Sequence, residues 1–166
     1  MALVIRRATV ADLDRLVELS LNLQLYSERT NPLVWKITNE GKSRGLKKEV
    51  EDMLADADGR LIVAAKDGAI LGFAFGTVTC RTTHSPSIVA HISRVYVIEQ
   101  SRRQGVGTRL VEALCRFFDS EGAKEVTLRY VVGNKVAEQF WTGLSFKPVL
   151  MTALTSISEL KMLTYK

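Results

Sequence analysis

Apolar and polar positions mix over Val4-Ile5-Arg6-Arg7-Ala8 in a way that suits a short strand. The spacing then changes, because Leu13, Leu16, Val17 and Leu21 recur every three or four residues. That pattern predicts an amphipathic helix reaching towards Tyr26, opened by Thr9-x-x-Asp12, which has the form of a capping box. From Ser27 to Gly45 the periodicity is lost: Arg29-Thr30-Asn31-Pro32 is turn-like, Trp35 and Ile37 stand alone, and residues 39–45 are polar. A second helix is expected over about Leu46 to Ala57, with Leu46, Val50, Met53 and Leu54 on one face.

Strand periodicity follows. Leu61 to Lys66, the turn Asp67-Gly68, and Ala69 to Val78 predict a β-hairpin. Gly72 and Gly76 interrupt its second strand, the signature of a bulge or of close approach by another segment. After a loop around residues 82–87, His91-Ile92-Ser93-Arg94-Val95-Tyr96-Val97 alternates as a further strand. Val106, Leu110, Leu114 and Phe117 mark a helix beginning near Gly105 and stopped by Gly122. Glu125 to Val132 is expected as a strand, Asn134 to Trp141 as a helix, and residues 146–153 and 158–164 as two closing strands.

The junction between the 91–97 strand and the following helix carries the most distinctive chemistry. It reads Arg102-Arg103-Gln104-Gly105-Val106-Gly107-Thr108-Arg109. The first turn of a helix has amides without intrahelical acceptors and the positive end of the helix dipole, so it suits phosphate oxygens. Glycines at 105 and 107 leave those amides approachable, and Arg102, Arg103 and Arg109 add positive charge. A diphosphate is the expected ligand. A GxGxxG fingerprint is absent, since Leu110 lies three beyond Gly107, and so is a Walker lysine.

Arg102-x-x-Gly105-x-Gly107, five residues after Val97, resembles the acyl-CoA loop of the GCN5-related N-acetyltransferases. A second stretch, Asn134-x-x-Ala137-x-x-Phe140-Trp141 with Leu144-Ser145-Phe146, is similar to that family's second signature. It departs in two places: Trp141 stands where a tyrosine is usual and Ser145 where a glycine is usual. The order β-α-α-β-β-β-α-β-α-β-β matches the family's fold across the chain. The resemblance therefore implies an α/β fold of the α+β kind: a mixed, mostly antiparallel sheet flanked by helices on both faces, with splayed central strands, in a single domain over residues 1–166.

The resemblance also implies roles. The cosubstrate would be acetyl-CoA, with pantetheine lying as a pseudo-strand between the two splayed strands. Val95, Tyr96, Val97, Arg102, Arg103, Gln104, Gly105, Val106, Gly107, Thr108, Asn134 and Trp141 are the expected cofactor-binding residues. Backbone amides near Val95 and Val97 would hold pantetheine and the thioester oxygen. Asn134 would contact cofactor or an ordered water while serving as a helix N-cap. Trp141 can donate an N–H but cannot supply a proton, and Tyr130 is a substitute acid on the adjoining strand.

His91 is the candidate base, because some family members carry a glutamate at the corresponding place and imidazole titrates near neutrality. Simple alternation puts His91, Ser93, Val95 and Val97 on one face. Glu99 is a lesser candidate, and water-mediated deprotonation is the alternative. Tyr26, Trp35 and Glu40 are candidates for lining the acceptor site. The catalytic set is thus His91, Val97 and Asn134, and no metal is expected.

Composition adjusts this picture only slightly. With 46% hydrophobic and 25% charged residues in 166, the chain suits a single globular domain. Its net charge of +5 comes from scattered residues not interleaved with aromatics, so nucleic acid is not an expected partner and a polyanionic cofactor explains part of the excess. No apolar run approaches a membrane span, and no signal peptide is recognised, so a cytoplasmic location is expected. Cys80 and Cys115 lack metal-ligand spacing and are expected as buried free thiols. The expected activity is direct transfer of an acetyl group to a primary amine on a small molecule or protein, with a homodimer as the family's common assembly. The alternative is a non-catalytic module that binds acyl-CoA or a partner.

Overall fold

The structure is a computed structural model that describes residues 2–164. These residues form two compact units, one of residues 2–26 with 36–129, the other of residues 27–35 with 130–164.

The first unit is built on a five-stranded sheet in the order β1 (Val4–Arg7), β2 (Gly59–Lys66), β3 (Ala69–Cys80), β4 (Ile88–Val97) and β5 (Glu125–Leu128). The first four strands run antiparallel and β5 runs parallel to β4. The β2–β3 hairpin turns on Asp67 and Gly68, both at positive φ (52° and 80°), as a two-residue turn requires. Helix α1 (Leu13–Thr30) runs four residues past the expected Tyr26. It follows a 3₁₀ turn over Val10–Asp12. Helix α2 (Leu46–Ala55) is entered through a π-helical turn at Gly41–Gly45, a segment in which the sequence pattern predicts no element.

Strand alternation gives the sheet two apolar faces. On one, Leu61, Val63, Phe73 and Phe75 pack with Leu16 and Leu19 of α1 and Val50 and Met53 of α2. On the other lies α3 (Val106–Ser120), which buries Val106, Leu110, Val111, Leu114, Phe117 and Phe118. Each fully buried Leu or Phe stabilises the fold by about 1.5–3 kcal/mol. Gly76 faces α3: a Cβ there would lie 2.5 Å from the Phe118 ring. Gly72 is a close approach too, since a Cβ would sit 2.5 Å from the Tyr96 carbonyl oxygen.

In the second unit, Asn31 Nδ2 donates to the Val132 carbonyl at 3.3 Å and α4 spans Lys135–Gly143. Three expectations are corrected here and in the sheet. Strand β5 stops at Leu128 instead of Val132. Residues 146–153 form no strand, and Ile157–Thr164 is a helix, α5, instead of a strand. Ile157 and Leu160, three apart, suit one helix face, while Leu160 and Met162 alternate as in a strand, and no neighbouring strand arbitrates. The two cysteines are free, as expected, but both are exposed.

Candidate functional site

The loop that carries the glycines grows out of β4. Val97 ends the strand, a 3₁₀ turn at Glu99–Ser101 follows, and Gly105 adopts the left-handed conformation (φ 77°, ψ 0°) that lets the chain turn into α3. No side chain caps α3, so its first-turn amides face outward from a turn with Gly107 at the second helical position. A Cβ on Gly105 would meet nothing within 4 Å, so the turn is open on that side and the glycine is there for its φ. Arg103, also at positive φ (60°), and Gln104 are exposed, while Val106 is buried and roots the helix. Gly107 and Thr108 are half-buried.

Arg102 does not join the charged rim in the expected way. Its Nε donates to the Val97 carbonyl at 3.0 Å, and its guanidinium lies over Tyr26 (5.1 Å) and Tyr96 (5.9 Å). The charge stays close to the loop, but the side chain ties the loop back to the strand end. Tyr26, a candidate acceptor-lining residue, thus supports the loop by a cation–π contact.

The second element is the edge of β4. Its ladder with β5 ends at Ile92 opposite Leu128, while its ladder with β3 continues to Val97 opposite Gly72. The Ile98 amide donates to Leu71 on the β3 side at 2.9 Å, so by alternation the amides of Val97 and Val95 point away from β3. Past Ile92 that is the side from which β5 has departed. This is the splay expected of the central strands, and it presents main-chain donors whatever the side chains are.

A β-bulge shapes the same stretch and overturns one expectation. Phe75 pairs with Arg94 but Gly76 with Ile92, which leaves Ser93 as an extra residue. Ile92 therefore faces α3 with Gly76, and His91 faces the α1–α2 side. Arg94 and Tyr96 share the face of His91, and Val95 and Val97 lie on the other. Alternation alone puts His91, Val95 and Val97 together; the bulge separates them.

His91 is half-buried. Its Nδ1 lies 2.9 Å from Thr127 Oγ1 across the β4–β5 ladder, one residue before that ladder ends. Desolvation, reinforced by the positive charges of Arg129 and Arg81, holds its pKa below the ordinary value, so the ring is neutral at physiological pH. On the same face Arg94 forms an ion pair with Glu49 of α2. Beside them is a cavity of about 360 Å³ lined by Glu49, Asp52, Met53, Asp56, Phe75, Ser93 and Arg94. The acids there are partly engaged, Asp52 with Lys48 at 3.0 Å. Sequence reading missed Thr127, Glu49 and Arg94, whose roles arise only from the β4–β5 ladder and from the contact of β4 with α2.

The second signature lies in the second unit. Asn134 caps α4, its Oδ1 accepting the Ala137 amide at 3.0 Å. Trp141 is buried between Phe140 and Phe146, edge-on to both at 4.8 and 5.3 Å between centroids. Ser145 holds a left-handed φ of 68°, the conformation that favours the glycine usual in the family. Trp35 and Glu40 are exposed. Glu99 is exposed in the 3₁₀ turn, and Tyr130 is half-buried just beyond Arg129. Cys115, on α3, has its thiol pushed up by partial desolvation and by Glu112. Among the described residues, no three His, Cys, Asp or Glu side chains gather to hold a metal, and no helix is long and apolar enough to cross a membrane.

The profile of the acetyltransferase (GNAT) family matches residues 25–146, which includes the α3 loop, the splayed strands and the second signature. The chain belongs to this family. A curated relative, the N-alpha-acetyltransferase of Sulfurisphaera tokodaii, is 29% identical over 102 residues, 58% of this chain. The matched part is 61% of that relative's length, so the chain spans about three-fifths of it. Among solved structures, a transcriptional regulator from Bacillus halodurans C-125 superposes with a TM-score of 0.76 at 23% identity, covering 94% of this chain and 100% of that one. An aminoglycoside acetyltransferase from an uncultured soil metagenomic sample gives 0.67 at 23% identity, with 93% and 96% covered. AAC(6')-Iy, solved with a CoA-S-monomethyl-acetylneamine bisubstrate analogue, gives 0.72 at 17% identity, with 94% and 98% covered. These likenesses show that the GNAT member has the mixed sheet with helices on both faces that the sequence predicts.

Proposed function

We propose that this GNAT chain is a single acetyltransferase domain that moves an acetyl group from acetyl-CoA directly to a primary amine. The observation that carries the reading is the uncapped start of α3 behind left-handed Gly105, next to a β4 edge that turns the Val95 and Val97 amides outward past the end of the β5 ladder. The first feature suits a diphosphate and the second an extended amide-bearing chain, and acetyl-CoA combines both. Loop residues Arg103, Gln104, Gly105, Val106, Gly107 and Thr108 would hold the diphosphate. Arg102 would act from behind, by fixing the loop on Val97.

Acetyl-CoA, when bound, supplies the activated acetyl thioester. Attack needs an unprotonated amine, and His91, neutral because it is desolvated near Arg129 and Arg81, is able to accept a proton at physiological pH. The Val97 amide is the donor assigned to the developing charge on the thioester oxygen. Asn134 organises the start of α4. Trp141 contributes packing, and any contact with cofactor would be through its indole N–H. The name of the Sulfurisphaera relative favours an α-amino group as acceptor, and those of the aminoglycoside enzymes favour small polyamino sugars. We propose the cavity beside Arg94 and Glu49 as the acceptor side of the site.

The assembly proposed is a homodimer in the cytoplasm. Val149, Leu150, Met151, Leu154, Ile157, Leu160, Met162 and Leu163 are all exposed. At about 2.5 kcal/mol and 25 cal/mol/Å² for a buried apolar side chain, eight would cover roughly 800 Å², which is what each partner of a standard interface buries.

A calorimetric titration with acetyl-CoA, with NADH and ATP as controls, tests the cofactor. CoA release with an unblocked peptide or with neamine then tests transfer. The non-catalytic alternative is separated by Trp141→Tyr: an enzyme keeps or gains turnover with a phenol at that place, whereas a binding module releases no CoA in either form. A folded protein that ignores acetyl-CoA would sink the proposal.

A further inference from the structure

His91 and Thr127 sit opposite each other in the last part of the β4–β5 ladder, and their hydrogen bonds have a direction. Thr127 Oγ1 donates its one proton to the Ala90 carbonyl at 3.2 Å. With that proton on the Ala90 carbonyl, a ring that donates across the 2.9 Å contact from Nδ1 completes both hydrogen bonds at once. Nδ1 is then protonated and Nε2 carries the lone pair. The two bonds form a relay from ring to hydroxyl to main chain, and its final acceptor cannot move without breaking the ladder.

We propose that Thr127 is a positioning residue that fixes His91 in the Nδ1–H tautomer, leaving Nε2 as the nitrogen that takes the proton from the acceptor amine. This rests on the reading of His91 as the base in acetyl transfer. The balance is simple: the amine proton passes to Nε2, the ring becomes imidazolium, and the Nδ1–H bond to Thr127 persists. An N–H donated by a charged ring is stronger than one donated by a neutral ring, so Thr127 also favours the proton-bearing form. Arg129, just beyond β5, and Arg81, just beyond β3, oppose that form electrostatically. Thr127 and the two arginines thus act in opposite senses on one ring. The threonine selects which nitrogen is basic, and the arginines keep it unprotonated until the amine arrives.

The test reads the ring directly and then the reaction. Imidazole ¹⁵N NMR of the full chain should show His91 protonated at Nδ1 in the wild type. In Thr127→Val, which keeps the branched shape without the hydroxyl, the signal should move towards the Nε2–H form. Thr127→Ser should restore the wild-type signal. An Nε2–H wild type, or a tautomer indifferent to Thr127→Val, overturns the proposal. In CoA release from acetyl-CoA with an unblocked peptide or neamine, Thr127→Val should lower the plateau of kcat/KM about tenfold and move its acid limb to lower pH, with acetyl-CoA affinity unchanged. A Thr127→Val profile that matches the wild type overturns it as well. His91→Gln separates the two readings: if it leaves kcat/KM unchanged while the NMR result holds, the tautomer assignment stands and the base assignment fails.

Discussion

Asp12 offers the most quantitative check on how the first helix is held. Its carboxylate is 6% exposed and accepts two hydrogen bonds from the Arg6 guanidinium, at 2.7 and 2.8 Å, and one from the Thr9 amide at 2.8 Å. The Thr9 hydroxyl adds a fourth at 3.2 Å. The Arg6 hydrogen bonds chiefly, outweighing desolvation, lower the pKa from 3.8 to about 2. Because the folded value lies below the unfolded one, the stabilisation is complete above the unfolded pKa and is lost as pH falls through the folded pKa. The difference corresponds to about 2.4 kcal/mol at pH 7, falling to about 1.3 at pH 3 and about 0.4 at pH 2. Arg6 is 41% exposed, which screens its share and reduces the expected figure to about 1–2 kcal/mol at pH 7.

Asp12→Asn keeps the shape and removes the charge. It should lower Tm by about 2–8 °C at pH 7 for a chain of this length. Urea unfolding of both proteins from pH 7 to pH 3 should show the gap shrinking by roughly half. A gap that stays constant across that window would refute the argument, because it would assign the loss to packing instead of to the carboxylate's charge.

Three further outcomes follow from the structure. Gly107→Glu, which places bulk and negative charge in the first turn of α3, should abolish acetyl-CoA binding in a titration while leaving circular dichroism unchanged; retained affinity would count against the loop. Ser145→Gly should raise stability by about 1 kcal/mol in urea unfolding, since Ser145 holds a φ of 68° that costs a side-chain-bearing residue. Gly72→Ala should destabilise by about 1–3 kcal/mol, because its Cβ would meet the Tyr96 carbonyl oxygen at 2.5 Å; a neutral effect would show that β3 and β4 have slack there.

What could be read from the sequence had local causes. The turn at Asp67-Gly68 and the start of α3 behind Gly105 are written in residue type, and Gly72 and Gly76 announced close contacts because a strand gives up a packing side chain where a neighbour leaves no room for one. Gly76 marked the place where the register shifts, but not that the extra residue, Ser93, lies on the facing strand. An alternating run looks the same with or without an extra residue, and only the pairing of Phe75 with Arg94 and of Gly76 with Ile92 reveals it. The side assigned to His91 failed for that reason alone. Arg102 was recognised as a cation, but its return to Val97 and Tyr26 depends on where α1 lies. The closing strands failed because residues 146–153 lack a partner strand in the structure, and alternation is only half of what a strand needs.

The bulge has a consequence for the length of β4. Without Ser93, Ile92 and Arg94 would become neighbours in the chain while still facing Gly76 and Phe75, which are themselves neighbours. Deleting this one residue therefore leaves every side chain on its present face, with Arg94 still towards Glu49 and Val97 still opposite Gly72, and removes only the local kink and added twist. In an ordinary strand a one-residue deletion inverts everything downstream. Here the deletion straightens the strand and spares the core, so the curvature of β4 is set by chain length at one position, and the residue that sets it, Ser93, also lines the cavity beside Arg94.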